Sequence, residues 1–163
     1  IPSHIEALTS KMKEAGADIE IGVDYIMCNS KAKLTHTDIS TYYFPGFATD
    51  LQQPFSVFLT QCKGKSVITE NIYENRFMHV PYLNKMGANI KCNDRKAIVT
   101  GITELKGKKV KATDLRAGAA LIIAGIAAKG KTEIYNLNHI DRGYENIEEK
   151  FRKLGANIER VVE

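Results

Sequence analysis

Two aspartates in this chain sit inside the same four-residue word. Ala48–Leu51 and Ala112–Leu115 both read ATDL, and each heads an apolar run. Asp50 and Asp114 therefore stand where an extended segment gives way to a helix. An aspartate there can accept hydrogen bonds from the free N–H groups of the first helical turn. It can equally face a ligand, because a strand-to-helix junction shows its side chains at the carboxyl edge of a sheet. In that second role its carboxylate can take the proton of a substrate hydroxyl. The residues alone leave both readings open.

Two arginines bring positive charge to similar positions. Arg116, in TDLRAG, lies in the first turn of an otherwise apolar helix. Burying an unpaired guanidinium is costly, so Arg116 calls for an anion or a carboxylate. Arg142, in NHIDRGYE, just precedes an amphipathic helix. A guanidinium grips phosphate or carboxylate through two parallel hydrogen bonds, which points to a di-anionic substrate.

Other chemistries lack their signatures. His4, His36, His79 and His139 show neither HxxxH nor HExxH spacing and read as caps or surface residues, so no metal is expected. There is no GxSxG and no phosphate-cradling P-loop. Cys28, Cys62 and Cys92 are scattered and form no CxxC pair, which reads as small buried hydrophobes in a reducing compartment. The net charge of +4 suits a phosphorylated small molecule better than nucleic acid, which needs a denser basic stripe. KGKKVK (Lys106–Lys111) reads as a solvated hairpin without interleaved aromatics. The longest strongly apolar stretch, Ala117–Ala128, is too short to span a bilayer. No basic segment followed by an apolar one opens the chain, so a cytoplasmic protein without a signal peptide is expected. The sequence starts abruptly in IPSHIEALTSKMKEAG, as if cut from something longer.

The elements that position these residues are repeated. His4–Ile21, His79–Cys92 and Tyr144–Val161 share one pattern of amphipathic helix, glycine and short strand. The glycines are Gly16, Gly87 and Gly155, each suited to end a helix. Between them, Ala48–Arg76 lines up with Ala112–Arg142. Asp50 and Asp114 are 64 residues apart, while Lys63–Lys65 and Lys129–Lys131, like Arg76 and Arg142, are 66 apart. Recurrence at nearly one offset implies internal duplication. Each unit reads β-α-β-α-β-β. Residues 1–43 supply the tail of one unit, 44–111 a complete unit and 112–163 most of a third. The first helix of the second copy is apolar almost all round, which predicts burial on every side. Such units need neighbours, so three are expected to close around a common centre.

FPGFATDLQQPF, ITENIYENRFMHVP, ATDLRAGAALIIAG and HIDRGYENIEEKFRKLGA resemble the enolpyruvyl transferase family over the whole chain. ENRFMHV and HIDRGYE are closer to its UDP-N-acetylglucosamine 1-carboxyvinyltransferase branch, which opens peptidoglycan synthesis, than to its shikimate-pathway branch. The resemblance implies an α/β inside-out barrel: two domains, each of three such units, with helices inside and sheets outside. This chain would form the C-terminal part of one domain. The implied substrates are UDP-N-acetylglucosamine and phosphoenolpyruvate, with no cofactor. Position by position, Asp50 matches the base at the sugar 3′-hydroxyl, and Ile72 a backbone contact to the UDP-sugar. Arg142 and Arg116 match cations for phosphoenolpyruvate, and Asp114 a position near the reacting carbons. Two departures stand out. Ala48 replaces the family's usual proline. The family's acid, usually a cysteine on a loop of the other domain, has no match in Cys28, Cys62 or Cys92. The resemblance thus implies half a site: the chain alone would be inactive, would need the other domain as partner, and could self-associate through its incomplete repeat. Besides the shikimate-type transferase, a non-catalytic binding module whose aspartates merely cap helices remains an alternative.

Overall fold

A computed structural model describes residues 1–29 and 33–161. The unit expected to end at 163 has its last two positions outside the described residues.

The chain begins with a 3-10 turn (Pro2–Ile5) that runs into helix α1 (Glu6–Glu14), followed by the antiparallel hairpin β1 (Asp18–Ile21) and β2 (Ile26–Asn29). That is the helix, strand and hairpin expected of a unit's tail. The middle unit runs β3 (Ile39–Ser40), α2 (Thr49–Thr60), β4 (Gly64–Thr69), α3 (Val80–Lys85), β5 (Ile90–Asn93) and β6 (Lys96–Gly101). Its sheet has the order β3-β4-β6-β5, with β3 parallel to β4 and the other pairs antiparallel. The last unit runs β7 (Lys109–Lys111), α4 (Leu115–Ala127), β8 (Glu133–Tyr135), α5 (Asn138–Asp141) and α6 (Ile147–Lys153), with β7 parallel to β8.

The duplication is visible in the ladders. Ile39 pairs with Ile68 as Val110 pairs with Ile134, and the bridge Thr35 to Lys63 recurs as Lys106 to Lys129. Thr41 N–H donates to Thr69 O as Ala112 N–H donates to Tyr135 O. Both opening strands lie just before the expected unit starts at 44 and 112. At two and three residues they are too short to carry a readable alternation. Lys106–Lys111 is correspondingly no hairpin: its last three residues are strand β7.

Helices lie inside and sheets outside. On β4, Ser66 and Ile68 are buried, and on β6, Ala97 and Val99, while Ile98 points outward. That alternation is the signature of a sheet covered on one face. The covering helix α2 buries seven residues, including Phe55, Val57 and Leu59. It packs along α4, whose Ala117, Gly118, Ala120 and Ala124 are small enough to admit a close neighbour. Phe55, Leu59, Leu121 and Ala124 share one core with Ile68 and Val99 of the sheet. The expectation that α4 is buried on every side holds for Ala117–Ile122 and Ala124 only, and Leu115, Arg116 and Ile123 are half-buried. Ile126, in its last turn, is exposed, because no further helix of the described residues covers that end.

The glycine-ended helices are as expected: Gly16, Gly87 and Gly155 all have positive φ. Gly87 is also closely packed, since a Cβ there would stand 2.8 Å from the carbonyl oxygen of Glu104. The strand expected after Gly155 is not formed. Arg152 Nε donates to Ile158 O, and Arg160 grips Asp141 and Glu148, so side chains rather than a ladder hold that segment.

Candidate functional site

Asp50 and Asp114, twins in sequence, do different things. Asp114 is the N-cap of α4, and its Oδ1 accepts from the amides of Arg116 at 2.8 Å and Ala117 at 3.1 Å. Asp50 caps nothing. The N-cap of α2 is Ala48, so Asp50 already lies inside the first turn, and its carboxylate turns outward. It pairs with the guanidinium Nε of Arg116, with its own side chain 63% exposed and that of Arg116 26% exposed. The carboxylate that Arg116 called for is thus Asp50.

This pair also sets the direction of the two helices. Each partner lies in the first turn of its helix, so the N-terminal ends of α2 and α4 meet at one edge. The partial positive charge of both helix ends falls there, a setting that favours anions. Tyr144 faces the same cluster. Burial pushes its phenol above the ordinary range; the Arg116 charge opposes that shift, while Asp50 and Asp114 reinforce it. Gly143, beside it, backs directly onto the Leu115 side chain.

Arg142 ends α5, two residues before Tyr144, and is exposed. It lines an open hollow of about 670 Å³ together with Tyr144, Asn146, Arg160, Asp141 and Glu148. Asp50 and Arg116 do not line that hollow. The structure therefore brings Asp50, Asp114 and Arg116 together directly and joins Arg142 to them through Tyr144.

Ile72 follows β4, and its amide donates to Glu70 Oε1 at 2.9 Å. The N–H is thereby committed, which leaves the carbonyl as the backbone group free to meet a ligand. Glu70 itself did not stand out in the sequence, yet it is 1% exposed and takes four hydrogen bonds. Oε1 also accepts from Thr41 Oγ1 at 2.8 Å and from the Tyr73 amide at 3.1 Å, and Oε2 accepts from Thr49 Oγ1 at 2.9 Å. Nearby, the Arg76 guanidinium lies 4.2 Å above the centre of the Tyr73 ring.

Two expectations need correction. His79 is no surface residue: it is fully buried, with Nε2 2.9 Å from Ser56 Oγ. Burial pushes its pKa down to about 4, against weaker upward pulls from Asp114 and the Arg76 backbone, so its ring is neutral near pH 7. Cys28 and Cys92 are exposed although their ladder partners, Ile19 and Ala97, are buried; only Cys62 is the buried hydrophobe expected. No cluster of metal-binding side chains occurs among the described residues. Nor is any described helix long and apolar enough to cross a membrane.

Residues 2–151 match the family model described as EPSP synthase (3-phosphoshikimate 1-carboxyvinyltransferase). The UDP-N-acetylglucosamine 1-carboxyvinyltransferase 2 of Bacillus cereus is 54% identical over 160 residues, 98% of this chain and 37% of that protein. The UDP-N-acetylglucosamine 1-carboxyvinyltransferase of Clostridium botulinum is 53% identical over 161 residues, 99% of this chain and 39% of that protein. Among solved structures, the enolpyruvyl transferase NikO from Streptomyces tendae superposes with a TM-score of 0.86 at 27% identity, over 94% of this chain and 36% of that one. An EPSP synthase from Acinetobacter baumannii shares the fold at a TM-score of 0.62 and 18% identity, over 86% of this chain and 36% of that one.

Proposed function

Because the chain belongs to the EPSP synthase family, we propose that it supplies one half of a site that moves enolpyruvyl from phosphoenolpyruvate to the 3′-hydroxyl of UDP-N-acetylglucosamine. The chain spans 37–39% of the length of the curated relatives it matches, and the reaction is assigned to the whole protein. In this reading the hydroxyl oxygen adds to C2 of phosphoenolpyruvate as C3 gains a proton. Phosphate then leaves C2 while C3 gives up a proton, and an enol ether remains. The product belongs to peptidoglycan synthesis, which sets the work in the cytoplasm.

The observation that carries the reading is the Asp50–Arg116 pair at the shared N-terminal edge of α2 and α4. An exposed carboxylate with no capping duty is free to accept a hydroxyl proton. Arg116, Arg142 and two helix ends supply positive charge for phosphate and carboxylate. Asp114 serves the site by fixing the first turn of α4, and Ile72 offers its carbonyl to the sugar. The acid that protonates C3 comes from outside this chain, so the isolated chain is inactive.

The test is Asp50→Ala and Asp50→Asn in the intact protein that carries this chain, followed as phosphate release from phosphoenolpyruvate with UDP-N-acetylglucosamine. Turnover should fall by a factor of about 100 or more, as for loss of a general base, while the protein stays folded. Retained turnover, or transfer to shikimate 3-phosphate instead, would sink the assignment.

A further inference from the structure

The two copies of the repeat diverge at one place, and that place lies under Asp50. Thr41 corresponds to Ala112 by its ladder partner, an offset of 71, whereas Asp50 and Asp114 are offset by 64. The difference of seven residues is a loop, Tyr42–Ala48, that only the middle unit carries. Glu70 holds both ends of this loop: Thr41 donates to one carboxylate oxygen and Thr49 to the other. In the last unit the position of Glu70 is taken by Asn136, at the offset of 66, and that of Thr41 by Ala112. There Thr113 reaches only the neighbouring Asp114, at 3.4 Å, and Asp114 turns back onto its own helix.

We propose that Glu70 is the positioning residue of this site: by clasping Thr41, Thr49 and the Ile72 and Tyr73 amides, it draws Thr49 into α2 and keeps Asp50 off capping duty, facing Arg116. The assignment of a role in transfer rests on the function proposed above. The physical argument is one of register. With Thr49 held as the first helical residue, Asp50 falls inside the first turn, where its side chain has no amides to cap. Without the clasp, α2 begins as α4 does, and Asp50 folds back on the amides of Gln52 and Gln53. The first turn of α2 needs this outside hold, because Pro54 brings no N–H to the carbonyl of Asp50. The same carboxylate fixes the Ile72 backbone, so one buried group sets the spacing between the base and its neighbouring sugar contact.

The experiment compares Thr49→Val, Thr49→Ser, Glu70→Gln and Asp50→Ala in the intact protein, by turnover and by amide hydrogen exchange. Thr49→Val keeps the shape of the side chain and puts a methyl in place of the hydroxyl, while Glu70 keeps its three bonds through Oε1. Its kcat/KM should drop about tenfold, the worth of one buried positioning hydrogen bond, carried by kcat rather than KM. Exchange at Gln52 and Gln53 should speed, as their amides give up the carbonyls of the first turn for the Asp50 side chain. Thr49→Ser should restore both readouts. Glu70→Gln should speed exchange at Ile72 and Tyr73. Were Thr49→Val and Glu70→Gln to keep wild-type kcat and wild-type exchange at Gln52 and Gln53 while Asp50→Ala abolishes turnover, Glu70 would be a structural residue only. Were Asp50→Ala itself to retain turnover, the proposed function would fall, and exchange at Gln52 and Gln53 alone would decide whether Glu70 sets the register.

Discussion

Replacing each of the twin aspartates by alanine should give unequal losses of stability. Asp114 satisfies two amides of α4, Arg116 N at 2.8 Å and Ala117 N at 3.1 Å. Losing such a cap costs about 1–2 kcal/mol. For a chain of this size each kcal/mol moves the midpoint by roughly 2–4 °C, so Asp114→Ala should melt about 2–8 °C lower. Asparagine caps as well as aspartate, so Asp114→Asn should recover most of that. Asp50 makes one ion pair, with its own side chain 63% exposed and that of Arg116 26% exposed. A pair so open to water is worth at most about 1 kcal/mol, and Arg116 can rehydrate when it is lost. Asp50→Ala should therefore melt at most about 4 °C below the parent. Thermal and urea melts of the four proteins, read by far-ultraviolet circular dichroism, make the comparison. If Asp50→Ala proved as damaging as Asp114→Ala, or if Asp114→Asn were no better than Asp114→Ala, the division of labour between the two would be refuted.

Three further outcomes follow from other parts of the molecule. His79 has a folded pKa of about 4, below its unfolded value near 6.5, so the unfolded state binds the proton first as pH falls. Stability should drop between about pH 6.5 and 4, by an amount on the order of 3 kcal/mol. A pH series of melts should show His79→Gln with a flatter profile above pH 4.5, whereas an unchanged slope would place the linkage elsewhere. Iodoacetamide should label Cys28 and Cys92 in the native protein and spare Cys62, whose thiol burial pushes up to about 11. Peptide mapping reads this directly, and early labelling of Cys62 would contradict its burial. Gly101→Ala should destabilise by about 1–3 kcal/mol, since a Cβ there runs into the carbonyl oxygens of Cys62, Thr60 and Leu59. A melt within 1 °C of wild type would show that this corner can relax.

The repeat was legible because its strongest parts are long and periodic: amphipathic helices, terminal glycines and the KGK turns. Its weakest parts were not. β3 is two residues long, and no alternation can be read from Ile39–Ser40. Asp50, Asp114 and Arg116 were found because ATDL repeats and because an arginine in an apolar helix demands a partner. Which aspartate caps and which is free could not be read, since the deciding residue, Glu70, lies twenty residues further on in ITENI. The available signal was the contrast between the copies: Glu70 against Asn136, and Thr41 against Ala112. His79 was missed because a histidine after Met78 at a helix start resembles an ordinary cap, and only the packing of α2 shows it to be enclosed.

Tandem copies of a segment can overwrite one another by recombination, and the Tyr42–Ala48 loop with its clasp sets a limit on that. Copying the last unit over the middle one would delete the loop and place asparagine where Glu70 stands and alanine where Thr41 stands. The pairing of β3 with β4 would survive, because it already matches that of β7 with β8. The two units would then carry two capping aspartates and no free one. Homogenisation of the repeat would therefore keep the opening ladder and lose the outward-facing carboxylate, and inheritance must keep the two units different at these few positions.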